Sequence, residues 1–160
     1  MAVLSIESNG LLEKTAVYYN GSQISGIKEL FLNIDEEGTF DALIQYEGSD
    51  KQLYTKNIFS DNLVNLKIVP PSFTEEEAAA LQLFTVESDG ELENTIIYIN
   101  DEAQEGVVNI FLHIKAVKNK SGFLSFLKQS PETYNQDLIF KSEITFRNED
   151  DTLETEEIFL

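Results

Sequence analysis

The only histidine of the chain is His113, and there are no cysteines and no tryptophans. A Ser-His-acid site needs a nucleophile on a turn beside the histidine, and no G-x-S-x-G or related turn occurs; "SGF" at Ser121–Phe123 is not one. His113 lies in "NIFLHI", where Ile110, Leu112 and Ile114 alternate. The alternation predicts a strand with His113 on the face opposite those three, an ordinary strand residue. With no cysteine, thiolate nucleophiles, zinc-thiolate sites and disulfides are excluded. There is no P-loop and no G-x-G-x-x-G. Carboxylates are abundant, 29 in 160 residues, so pairs fall close by composition alone and nothing singles out a glycosidase pair. "DEEG" (Asp35–Gly38), "ESDGELE" (Glu87–Glu93) and "NEDD" (Asn148–Asp151) gather oxygen ligands but lack calcium-loop spacing; they read as polar turns. The expectation is a non-enzymatic protein with no cofactor and no metal.

The formal net charge is −18. An acidic surface of this size predicts no direct nucleic-acid binding, which needs clustered Lys and Arg to displace counterions. It is compatible with solubility, with docking on a basic partner, or with mimicry of the phosphate array of DNA. No run of about 18 apolar residues suggests a membrane span. "MAVLSIESNG" has neither a basic start nor a long apolar stretch, which predicts no signal peptide. The expected location is cytoplasmic or virion-associated.

The strongest pattern is a repeat. Displaced by 80, "IESNGLLEKTAVYYN" falls on "VESDGELENTIIYIN", and over positions 6–34 there are 12 gapless identities. They include Glu7/Glu87, Ser8/Ser88, Gly10/Gly90, Thr15/Thr95, Tyr18/Tyr98, Asn20/Asn100 and Leu32/Leu112. The displacement then becomes 100: "FDALIQY" falls on "FKSEITF" and "LYTKNIF" on "LETEEIF". The second copy therefore holds about 20 extra residues between Ile114 and Phe140.

Each copy reads as β. Strands are expected at Val3–Ser8, Glu13–Asn20, Gly26–Asp35, Phe40–Glu47 and Gln52–Phe59, with period-2 apolar positions at Leu30, Leu32, Ile34, Ile44 and Tyr46. "NGSQISG" and "NDEAQEG" are expected as turns, with a bulge near Gly26 and Gly106. Val64, Leu66 and Ile68 suggest a sixth strand stopped by Pro70 and Pro71. In "SFTEEEAAAL", Ser72 or Thr74 can cap a short helix. The expected fold class is all-β: two tandem copies of a small five- to six-stranded sandwich or barrel module, preferably two sandwiches sharing an interface, with one fused sandwich as the alternative. The expected domains are 1–70 for copy one, 71–82 for a linker with the helix, and 83–160 for copy two with an inserted arm at 115–138. Duplicated, cysteine-free small β modules resemble accessory and structural phage proteins in general architecture, which implies a structural role.

The arm is the one basic patch. Lys115, Lys118, Lys120 and Lys128 outweigh Glu132 and Asp137, and Phe123, Leu124, Phe126 and Leu127 crowd into five residues. Clustered aromatics flanked by lysines suit an acidic, partly apolar surface, which this protein itself offers. The leading expectation is a protein-interaction or structural module, binding a protein partner or forming a homo-oligomer through the arm, with no membrane contact. The alternatives are an acidic DNA-mimic inhibitor of a nucleic-acid-binding protein and a calcium- or carbohydrate-binding module using tyrosines in place of tryptophan.

Overall fold

The computed structural model describes residues 1–116 and 138–159. In chain order the strands are β1 (Ala2–Ser8), β2 (Ala16–Tyr19), β3 (Ser22–Ser25), β4 (Ile27–Asp35), β5 (Phe40–Glu47), β6 (Leu53–Asn57) and β7 (Lys67–Ile68). A short helix, α1 (Glu75–Ala79), follows. Then come β8 (Gln82–Ser88), β9 (Ile96–Ile99), β10 (Glu102–Ala103), β11 (Val107–Ala116), β12 (Leu138–Arg147) and β13 (Leu153–Glu157). Single helical turns at Leu12–Lys14 and Leu92–Asn94 precede β2 and β9. The all-β expectation holds. Among the described residues no helix is long and apolar enough to cross a membrane.

The strands form two antiparallel sheets, ordered β10-β9-β8-β1-β2-β3-β7 and β13-β12-β11-β4-β5-β6. One core lies between them, with Leu4, Ile6, Phe84 and Val86 from the first sheet meeting Leu32, Ile44, Leu112 and Ile144 from the second. In place of the preferred two sandwiches sharing an interface, the structure has the alternative arrangement, one sandwich built from both halves. Each half supplies strands to both sheets, so the interface between halves is backbone pairing inside the sheets, β1 with β8 and β4 with β11. The reason is size: about 60 residues bury too little surface to hold a sandwich alone. Continuing each sheet across the halves doubles the core and removes four exposed edges, those of β1, β8, β4 and β11.

The repeat is visible in the register. In β1–β8 the pair Ser5↔Thr85 joins residues 80 apart, flanked by Leu4↔Val86 and Ile6↔Phe84. In β4–β11 the same is true of Leu32↔Leu112, flanked by Leu30↔Ile114 and Ile34↔Ile110. These reciprocal pairs place an approximate twofold axis through both sheets. Within the halves, Ile34↔Phe40 corresponds to Ile114↔Phe140, and bulges at Ile27/Glu29 and Val107/Asn109 correspond.

Local chemistry explains many of the identities. Ser8 and Ser88 are fully buried, each hydroxyl 2.7 Å from that of Thr15 or Thr95, and each accepts the N–H of Gly10 or Gly90 at 3.0 Å. Asn20 and Asn100 accept the N–H of Val3 and Leu83 at 2.9 Å. Both adopt φ of 51°, as a two-residue hairpin turn of the right twist requires.

Several sequence boundaries change. "NGSQISG" is not one turn: Asn20–Gly21 alone makes it, and Ser22–Ser25 pairs as β3 because Ile24 is buried. The predicted strand Glu13–Asn20 begins with the helical turn, and β2 starts at Ala16. The sixth strand shrinks to Lys67–Ile68, and Ile68 is exposed. The helix is capped as expected, by Thr74 and Glu77 in a reciprocal box.

Candidate interaction surface

The centre of the second sheet's outer face carries an aromatic group. Period-2 alternation sends Leu30, Leu32 and Ile34 into the core and leaves Phe31 and Asn33 outward; β11 does the same with Phe111 and His113. Phe31 and Phe111 meet edge-to-face with centroids 5.7 Å apart, and Phe31 meets His113 in the same way at 5.3 Å. All are half-buried. His113 Nε2 lies 2.6 Å from Glu29 Oε2. The sequence reading of His113 as an outward strand residue agrees with this placement. The partner Glu29 was not foreseen, since it lies 84 residues away and only the β4–β11 register brings it close.

Of the predicted interaction residues only Lys115 is described; it stands opposite Glu29 in the register. Lys118, Lys120, Phe123, Leu124, Phe126, Leu127 and Lys128 lie outside the described residues.

The outer strand of the second half is acidic along its length. Leu153, Glu154, Thr155, Glu156 and Glu157 are all exposed. Glu157 stands directly opposite Glu143, and Glu154 opposite Phe146. The corresponding strand of the first half, β6, reads Leu53-Tyr54-Thr55-Lys56-Asn57. There Tyr54 stacks on Tyr46 at 5.3 Å and donates to Asp50. The sequence aligned β6 with β13 but gave no sign that β13 is an exposed edge, because sheet order is not local information.

The acidic loops behave as turns. Asp35 Oδ1 accepts the N–H groups of Glu37 and Thr39, each at 3.0 Å. Those bonds, led by Thr39, hold its carboxyl below the ordinary carboxylate range. The Thr152 hydroxyl and N–H act in the same direction on Asp150. Among the described residues no three His, Asp or Glu side chains converge to hold a metal ion.

Two clefts lie between the sheets at equivalent places. One, of about 380 Å³, is lined by Ile34, Leu92, Ile97 and Ile110. The other, of about 240 Å³, is lined by Leu12, Val17, Leu30 and Ile114. Both are mainly apolar, and His113 lines neither. No protein-family model, curated protein or solved structure matches the chain.

Proposed function

We propose that this chain is a non-enzymatic protein-interaction or structural module whose acidic second half engages a basic protein surface, either on a partner or on the arm of another copy. The observation that carries this reading is the exposed strand Leu153–Glu157, with three glutamates on it and Glu143 directly across from Glu157. Like charges directly opposite on neighbouring strands are destabilising, and a basic partner relieves that cost. The net charge of −18 steers such a partner from a distance and weakens with salt. Lys118, Lys120 and Lys128, with Phe123, Leu124, Phe126 and Leu127, supply the complementary chemistry on the same chain.

The test is sedimentation velocity of the parent, Phe126→Ala, Lys118→Ala, and a chain with 115–138 cut to the length of the first half's connection. Truncating a buried aromatic anchor costs about 2 kcal/mol or more of binding. Exposed lysine pairs give roughly 0–1 kcal/mol each and fade with salt. Phe126→Ala should therefore weaken assembly at every ionic strength, and Lys118→Ala mainly at low salt. If all four sediment as identical monomers, self-association is wrong. The same acidic edge suits a DNA mimic, and duplex DNA competing for the same partner favours that reading.

A further inference from the structure

Asn-Gly occurs twice in the chain, at Asn9–Gly10 and Asn20–Gly21, and the second half carries Asp89–Gly90 and Asn100–Asp101 in their places. An asparagine followed by glycine can modify itself. The glycine nitrogen attacks the side-chain carbonyl, and the missing Cβ leaves that approach open. The two loops differ in how well they are set for this reaction.

Asn20 is tied across its hairpin. Its Oδ1 accepts the Val3 N–H at 2.9 Å, and its own N–H donates to Val3 O at 2.8 Å. The turn fixes its φ at 51°. The Asn20 carboxamide must therefore leave β1 before it can reach the Gly21 nitrogen. Asn9 bonds within its own loop. Leu11 N–H donates to Asn9 Oδ1 at 3.1 Å, which folds the carboxamide over the Gly10 peptide and polarises the Cγ carbonyl. That donor stays in place as negative charge grows on Oδ1, as an oxyanion site needs. Gly10 N–H donates to Ser8 Oγ at 3.0 Å. Thr15 Oγ1 donates to Leu11 O at 2.7 Å, so the Ser8 hydroxyl hydrogen goes to Thr15 and a Ser8 lone pair faces Gly10. Nucleophile and electrophile are both held and polarised. Asn9 and Gly10 are part-exposed, so water and hydroxide reach them.

We propose that Asn9–Gly10 is a self-modification site, which loses ammonia through a succinimide with no enzyme and no cofactor. Gly10 N gives its proton to hydroxide and bonds to Asn9 Cγ. The Cγ–Nδ2 bond breaks, and ammonia leaves with a proton taken from water. Water then opens the ring. Opening at Cγ gives an aspartate at position 9, and opening at the main-chain carbonyl gives the isoaspartyl form, whose backbone runs through the side chain. In sum, one water enters and one ammonia leaves. The second half shows how the aspartate fits. Asp89 Oδ1 accepts the Glu91 N–H at 3.0 Å, and Gly90 N–H donates to Ser88 Oγ at 3.0 Å, the same bonds as around Asn9. Asp89 Oδ2 accepts from Asn94 Nδ2 at 2.9 Å, and the position equivalent to Asn94 is Lys14. The new carboxylate thus appears where a cation stands within the same loop.

The test incubates the full chain at neutral and mildly alkaline pH and maps its peptides by mass spectrometry, reading the exchange of amide NH2 for OH at each asparagine. In the folded chain Asn9 should convert at least roughly fivefold faster than Asn20, the worth of the one hydrogen bond that Asn20 must give up. The Asn9 rate should be first order in hydroxide, and both the aspartyl and the isoaspartyl product should appear. In guanidinium, where neither loop persists, the two sites should convert at similar rates. Asn9→Gln, which would need a larger ring, should nearly stop conversion at position 9. Asn9→Asp should melt like the parent, because the Asp89 loop is already built that way. The proposal is overturned if folded Asn20 keeps pace with Asn9, if Asn9 converts only in guanidinium, or if its rate ignores pH. Unfolding of Asn9→Asp would equally overturn it, since the loop would then not accommodate its own product.

Discussion

The hydroxyls of Ser5 and Thr85 lie 2.9 Å apart, and the two residues are 80 positions apart, the spacing of the repeat. They mark the point where the approximate twofold axis crosses the first sheet, so each half meets the other through its own copy of one position. A part-buried hydroxyl pair of this kind contributes about 0.5–1.5 kcal/mol. Ser5→Ala and Thr85→Ala should each destabilise by about that much. A double-mutant cycle in urea should show positive coupling between them; additive losses would mean that the bond contributes nothing.

Where the axis crosses the second sheet, Leu32 and Leu112 pair, and neither has any exposed surface. Truncating a buried leucine costs about 2–5 kcal/mol. Leu32→Ala and Leu112→Ala should lose similar amounts, because their surroundings are nearly equivalent. Unequal urea midpoints, differing by more than about 1 kcal/mol, would show that the halves are not equivalent packing environments.

Residues 1–70 alone leave the β1 and β4 edges bare. Such a fragment should be unfolded when dilute and gain β structure only as it pairs with itself, copying the β1–β8 and β4–β11 junctions. Circular dichroism across a concentration series reads this directly. A folded, concentration-independent monomer would restore the picture of two self-sufficient domains.

Asp35 should make acid stability pH-dependent in a defined direction. Its folded carboxyl titrates below the ordinary value of 3.8, held there first by the Thr39 N–H. The stabilisation is therefore complete above that ordinary value and is lost as pH falls through the lower folded one. Asp35→Ala should unfold at lower urea than the parent at neutral pH, and the gap should close as pH drops below about 4. A gap unchanged down to about pH 2 would point to lost packing instead of lost charge.

Replacing His113 by Asn recreates the residue at equivalent position 33. The change gives up the Glu29 contact and the Phe31 edge, both half-exposed. A small fall in melting temperature with unchanged partner binding is expected. Loss of binding with the fold intact would make His113 part of the interaction surface.

The sequence alone determined the β class, the repeat and the inward face of each long strand, because alternation, turn residues and internal similarity are local properties of the chain. Leu30, Leu32 and Ile34 are legible as core, and a helix start capped by Ser72 or Thr74, without any tertiary knowledge. β11 ends at Ala116 and β12 begins at Leu138, and the extra residues that the repeat expects between Ile114 and Phe140 fall mainly outside the described residues. Sheet order was beyond such reading. That β1 pairs with β8 on one side as well as with β2 of its own half on the other depends on which pairing buries more apolar surface, a sum over residues 80 apart. The meeting of His113 with Glu29 and the exposed acidic strand β13 follow from that choice. Both are decided by which strands end as neighbours, and no spacing along the chain encodes it.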